Sequence, residues 1–116
     1  MVPSITLERD RARQIAILND AFRITFLGGT VCVTAGLHLI GDEFVKAALL
    51  AAREFSTFTD DNDPHGEHDF GSVLVDGHNV LWKIEYFDPT MTTGSEDPAS
   101  IALTRRVLTV MLAEEY

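Results

Sequence analysis

The helical part and the strand-forming part of this chain meet at Asp60-Asp61-Asn62-Asp63-Pro64-His65-Gly66-Glu67-His68-Asp69-Phe70-Gly71. This stretch holds five acidic residues and two of the chain's four histidines, and it has no basic residue. Before it, apolar residues recur mainly with the period of a helix; after it, they mostly alternate as in a strand. Because Asp, Asn, Pro and Gly favour turns, we predict a loop that joins helices to a sheet.

Two helices and one strand are predicted before this loop. Thr6 is placed to cap the first helix, whose apolar stripe runs to the glycine pair Gly28-Gly29. Asp42 is placed to cap the second helix. Between them, residues 30–34 form a short β-branched run, which predicts a strand with Cys32 buried in it.

Three strands are predicted after the loop. The first runs from Phe70 to Asp76-Gly77, a dipeptide typical of a tight hairpin, and residues 79–87 return with Trp82 on the core side. The last segment also fits a helix, but its β-branched residues favour a strand from about Arg105 to Leu112. The order α-β-α-β-β-β predicts an α+β fold, with two helices packed on a mostly antiparallel sheet of about four strands.

Length and composition point to a single domain over residues 1–116, with 46% hydrophobic residues to form a core. The one cysteine cannot form an internal disulfide, which suits a reducing cytoplasm. The N-terminus lacks a signal-peptide pattern, and no apolar run approaches the length of a membrane span. We therefore expect a cytoplasmic protein that does not contact membranes.

The formal charge of −9 is unevenly spread. Residues 1–27 carry four arginines against three acids, whereas residues 28–116 carry five basic residues against fifteen acids, a net of −10. Such a surface repels phosphate backbones, which disfavours direct binding to nucleic acid. It suits a protein partner with a basic surface, including one built to hold DNA or RNA, although acidity can also serve solubility alone.

The loop contains possible metal ligands. His65 and His68 lie three positions apart, with Glu67 and Asp69 beside them, so zinc or another divalent metal could be bound there. An EF-hand is strongly disfavoured, because Ser72 stands where a bidentate glutamate is required. The carboxylates and His68 also suit general acid–base chemistry, but no nucleophile or phosphate-binding loop accompanies them. We therefore assign no catalytic residue and expect no cofactor.

Two further interpretations of the loop stay open. It could be purely structural, with Asp and Asn side chains bonded to nearby backbone amides. It could instead be a rigid recognition surface. In that case the predicted partner-binding residues are its acids, Asp60, Asp61, Asp63, Glu67 and Asp69.

Several runs of the sequence together resemble a known family. They are Asn19-Asp20-Ala21-Phe22-Arg23, Phe58-Thr59 with the acidic run that follows, Trp82-Lys83-Ile84, and Arg106-Val107-Leu108-Thr109-Val110-Met111-Leu112-Ala113. These runs resemble the bacterial domain-of-unknown-function family 3768. The resemblance implies no activity, cofactor or catalytic residue. It does imply occurrence on mobile elements as well as chromosomes, which agrees with a role in conflict with host defence.

The sequence as a whole favours a small, acidic, non-enzymatic protein-binding module. Its concrete form is an inhibitor of a nucleic-acid-handling defence complex, of the anti-CRISPR or antirestriction kind, that occupies a basic groove. The alternative is a metal-dependent enzyme centred on His65, Glu67, His68 and Asp69. A third possibility is an interaction or oligomerisation domain.

Overall fold

A computed structural model describes residues 4–116 of the chain. In chain order, its elements are α1 (Ser4–Thr25), β1 (Gly29–Val33), α2 (Ala35–Ile40), α3 (Asp42–Glu54), β2 (Phe70–Val75), β3 (His78–Phe87), β4 (Arg105–Leu112) and a closing 3-10 helix (Ala113–Glu115). The predicted α+β class and order are confirmed, with α2 as an additional short helix. Thr6 was wrongly predicted as a cap, because α1 begins before it and Thr6 lies inside the helix.

The four strands form one mixed sheet in the order β1-β4-β3-β2. β4 pairs in parallel with β1 and antiparallel with β3, so the last strand lies inside the sheet with a neighbour on each side. β2 and β3 form the predicted hairpin, and both Asp76 and Gly77 adopt positive φ, at 47° and 81°, as a type I′ turn requires. The strand prediction for the last segment, Arg105–Leu112, is confirmed.

All three helices contribute to a core on one face of this sheet. Ala48 and Ala52 are fully buried and four residues apart, so they lie on one face of α3 and present small side chains to the sheet. Trp82 fills the centre, and a Cβ added at Gly71 would overlap its indole ring. Each large side chain buried in this way contributes about 1.5–3 kcal/mol. The core residues are Phe22 of α1, Leu37 of α2, Phe44, Ala48 and Ala52 of α3, Val75 of β2, Val80, Trp82 and Ile84 of β3, and Leu108, Val110 and Leu112 of β4.

The opposite face of the sheet is more open. Leu74 on β2 is 67% exposed, while Tyr116 packs edge-on near Phe70 at a centroid distance of 6.2 Å. Cys32 is also exposed, which corrects the expectation that it is buried. The reason is its register: Cys32 pairs with Thr109 of β4, and Thr109 points away from the helices.

None of the helices described from Ser4 onward has both the length and the apolar character needed to cross a membrane.

Candidate functional site

The acidic stretch lies in the central loop, defined here as residues 55–69, between α3 and β2. Its first part is a tight turn built on Asn62. The side-chain carbonyl of Asn62 accepts from the Thr59 amide at 2.8 Å, and its Nδ2 donates to the Thr57 carbonyl at 2.7 Å. The Asp63 amide donates to the Thr59 carbonyl at 2.8 Å. The loop is therefore fixed by its own hydrogen bonds, as its turn-forming composition predicts.

His68 attaches the central loop to α1. Its Nδ1 lies 2.9 Å from Oδ2 of Asp20, and its Nε2 lies 3.7 Å from Oδ2 of Asp63. Its ring stacks on Phe58 with centroids 3.8 Å apart and planes 2° apart. The backbone of His68 has a φ of 55°, and its amide donates to Oδ1 of Asp63 at 3.2 Å. The imidazole is thus held by two carboxylates and one aromatic face.

Asp20 also holds Arg23, one turn further along α1. The Arg23 side chain is only 2% exposed, and its guanidinium donates to Oδ1 of Asp20 at 3.1 Å and to the Ala52 carbonyl at 2.7 Å. Its Cζ lies 4.8 Å from the centroid of the Trp82 ring, a cation–π distance. Arg23 therefore satisfies a carbonyl at the end of α3 and places positive charge where the dipole of that helix favours it.

Beyond Trp82, a second set of hydrogen-bonded polar side chains lies on the core face of the sheet. Asn19 is fully buried, and its Nδ2 donates to the Glu67 carbonyl at 2.9 Å and to the Tyr86 hydroxyl at 2.8 Å. Its Oδ1 accepts from Nε of Arg106 at 2.7 Å. The Tyr86 hydroxyl donates to Oε1 of Glu67 at 2.9 Å, and burial raises the pKa of Tyr86, so it stays protonated as a donor. We call Asn19, Glu67, Tyr86 and Arg106 the buried polar network.

The structure divides the five predicted partner-binding acids into two groups. Asp60 and Asp61 are exposed, whereas Asp63, Glu67 and Asp69 are partly buried. Asp63 and Glu67 serve the contacts of the loop itself. Burial, and then the charge of Glu67, raise the pKa of Asp69. Two of the five carboxylates therefore stand free for a partner without rearrangement of the loop.

The two predicted metal ligands differ in their surroundings. His65 is exposed, whereas His68 turns toward Asp20 and Asp63. In the described part of the chain, no three His, Cys, Asp or Glu side chains are grouped so that they could hold a metal ion. Metal binding at His65 and His68 stays a prediction.

A groove of about 680 Å³ separates α1 from the central loop. Arg9 and Arg13 line its α1 wall, whereas Asp60, Asp63 and His65 line its loop wall. The groove is therefore lined by side chains of both charges.

Some site residues were not found from the sequence pattern. The apolar stripe predicted for the first helix did not include Asn19 and Arg23, yet both are buried. The signal that could have found them is the run Asn19-Asp20-Ala21-Phe22-Arg23, which the family resemblance set beside the acidic run.

The chain matches the family model described as Protein of unknown function (DUF3768) over residues 33–115. No curated protein and no solved structure matches the chain. Because the match spans well over half of its length, the chain belongs to the DUF3768 family. The matched range includes the central loop and β2 to β4, whereas the α1 residues that hold the loop, Asn19, Asp20 and Arg23, precede it.

Proposed function

We propose that the protein is a non-enzymatic binding module of the cytoplasm that docks on a basic protein surface. One observation carries this proposal: Asp60 and Asp61 are exposed at the tip of a loop that is already ordered by the Asn62 turn. Within residues 4–116, neither carboxylate belongs to an ion pair. They are therefore available to cationic side chains of another protein.

The order of the loop favours this use. A loop fixed by Asn62 and His68 loses little conformational entropy when a partner binds, so more of the contact energy appears as affinity. Exposed acids add long-range attraction, which mainly raises the association rate and weakens as salt is added. The net charge of −10 over residues 28–116 extends this attraction across most of the molecule.

The specific partner that we propose is a host defence complex that handles nucleic acid. Such complexes need basic grooves to hold phosphate backbones. A small body with this charge can compete with DNA or RNA for a groove of that kind, as an anti-CRISPR or antirestriction protein would. The charge distribution and the family resemblance support this form of the proposal.

The test is inhibition of purified restriction and CRISPR effector complexes from the host, measured as DNA cleavage at several salt concentrations. The informative variant is Asp60→Lys with Asp61→Lys. The matched control is Glu96→Lys with Glu114→Lys, because these acids are also exposed and the net charge changes equally. We expect salt-sensitive inhibition that the loop variant loses and the control retains. Inhibition of none of these complexes, or equal loss in both variants, would contradict the proposal.

A second proposal, a metal-dependent enzyme, is favoured by one observation: His65, His68 and Glu67 all line the groove beside α1. It is less well supported, because His68 and Glu67 already have partners within the fold. Elemental analysis of the purified protein decides it. Near-stoichiometric zinc or manganese, lost in the His65→Asn variant, would support the enzyme, and a metal-free protein that neither ion stabilises would remove it.

A further inference from the structure

The free edge of β2 is the feature that extends the proposed function. Asp69 directly precedes β2, and its carbonyl accepts a hydrogen bond from the amide of Ile84 in β3 at 2.8 Å. Asp69 and Ile84 are opposite each other in the register, and bonded and non-bonded pairs alternate along an antiparallel ladder. Starting from Asp69, the backbone of every second residue therefore bonds to β3. The backbone N–H and C=O groups of the residues between them point away from β3, toward the free edge of the sheet. The outward-facing residues are Phe70, Ser72 and Leu74.

These outward groups have no protein partner in the described part of the chain. No backbone hydrogen bond outside the hairpin reaches Phe70, Ser72 or Leu74 between residues 4 and 116. Exposed edge strands are normally protected by charged side chains, prolines or bulges. β2 (Phe70–Val75) has none of these, since its sequence is Phe-Gly-Ser-Val-Leu-Val and its register with β3 is continuous.

A groove of about 540 Å³ runs along this edge. Ala51, Glu54 and Phe55 at the end of α3 form one side, and Ser72 and Leu74 of β2 form the other. Its volume falls in the range of pockets that hold ligands. The outward amides and carbonyls of β2 thus border a space that can hold an extended segment.

Charge decides which segment fits. The charged residue that lines the groove is Glu54, and the exposed Asp61 directly precedes its lining residue Asn62. A second copy of the chain is disfavoured, because antiparallel pairing of two β2 strands would bring Asp69 of one copy toward Asp76 of the other. Both copies would also carry the same excess of negative charge.

We propose that β2 takes up an extended segment of a basic protein as an additional strand of the sheet. This inference rests on the proposed function for the charge of the partner, and adds the mode of binding. Backbone hydrogen bonds to Ser72 and Leu74 hold the segment. Side chains on the helix side of the segment pack on Phe55, and lysines or arginines reach Glu54. Because Phe55 and Glu54 lie on the same side of the sheet, the partner segment carries both apolar and basic residues on its helix side.

The test variant is Ser72→Pro, which removes one outward amide and leaves the bonds to β3 in place, since proline is tolerated where an edge N–H faces outward. Ser72→Thr is the matched control, because it keeps that amide. Leu74→Lys is a second variant that keeps the backbone and repels a basic strand. The probe is a labelled octapeptide with the repeat Val-Val-Lys-Lys, which places both residue types on each face of a strand. A copy N-methylated on alternate residues is its control, and binding is measured by fluorescence anisotropy.

We expect the peptide to bind the wild-type protein and the Ser72→Thr variant equally. Ser72→Pro, Leu74→Lys and the N-methylated peptide should each weaken binding by at least about tenfold, the loss expected for one hydrogen bond or one repelled charge at the edge. Because Ser72→Pro keeps the net charge, non-specific attraction would survive it. Equal peptide binding by wild type and both test variants would overturn the inference.

The outcomes separate this inference from the proposed function. Loss of defence-complex inhibition in the Asp60/Asp61 reversal but not in Ser72→Pro would overturn strand addition and retain the binding module. If Ser72→Pro loses peptide binding but the protein inhibits no defence complex, the result would support strand addition at β2 and contradict the proposed class of partner. Dimerisation of the wild type in light scattering, lost in Ser72→Pro, would show that a second copy occupies the edge and would overturn the inference.

Discussion

The two long irregular segments of this protein are similar in composition but differ in how they are held. The central loop (residues 55–69) is attached over long sequence distances, from His68 to Asp20 and from Glu67 to Tyr86. The second loop, residues 88–104, is held mainly by contacts within itself. There, Oδ1 of Asp88 accepts from the Thr92 amide at 3.0 Å.

The difference shows that one polar loop can merely connect two strands, whereas another also supplies groups that hydrogen-bond within the core. The second loop joins β3 to β4, and its local hydrogen bonds can form wherever those strands place its ends. The central loop supplies His68 and Glu67 to the α1 residues Asp20 and Asn19, so the packing of α1 on the sheet depends on it. Substitutions should therefore affect stability very differently in the two segments.

The largest effect is expected at the buried end of the central loop. Asn19→Leu removes three hydrogen bonds. It leaves Nε of Arg106 without its acceptor, beside an apolar side chain. We expect the free energy of unfolding to fall by about 3 kcal/mol or more, since unsatisfied buried groups are costly. Urea denaturation followed by circular dichroism measures this, with Gln14→Leu as the exposed control on the same helix. Equal effects of the two substitutions would contradict the role of Asn19.

A smaller effect is expected from His68→Asn, which tolerates the positive φ but removes the contact with Asp20 and the stack on Phe58. The loss should be about 2 kcal/mol, from a hydrogen bond to a charged group and an aromatic contact. His65→Asn is the matched control, because His65 is exposed, and it should change stability by less than about 0.5 kcal/mol. If the control matched His68→Asn in the same urea titration, His68 would not anchor the loop.

The smallest effect at neutral pH is expected in the second loop. Hydrogen bonds from the Thr92 amide and from nearby threonine hydroxyls lower the pKa of Asp88 from 3.8 to about 2. Because the folded pKa lies below the unfolded one, the stabilisation is present above pH 3.8 and is lost as the pH falls toward 2. Asp88→Asn should therefore flatten the dependence of stability on pH between these values. Denaturation series at pH 5 to 2 test this, and an unchanged slope would count against it.

Much of the fold could be predicted because short-range patterns specify it. Asp76-Gly77 marks the hairpin, and the alternation around Trp82 identifies the core face of β3, since both signals lie within a few residues. α2 (Ala35–Ile40) was missed because six residues are too few to show helical periodicity. Cys32 was misplaced because burial of a strand residue depends on its register in the sheet, which the sequence pattern does not specify.

The site was less predictable for a physical reason. The sequence located the acidic loop and its turn chemistry, but the partners of that loop lie far along the chain. His68 and Asp20 are 48 positions apart, and Asn19 and Arg106 are 87 apart. Periodicity also treats polar helix residues as solvated, which is why the burial of Arg23 was not foreseen. Only the packed structure shows that these charges meet.

Trp82 is the chain's single tryptophan, and its fluorescence depends on residues that touch the central loop. The indole lies beneath Arg23 and edge-on to Phe58, and Phe58 in turn stacks on His68 of the central loop. A partner that lifts the loop changes the environment of the only indole fluorophore. With a partner that contains no tryptophan, emission wavelength and quenching by iodide therefore report loop displacement without a label.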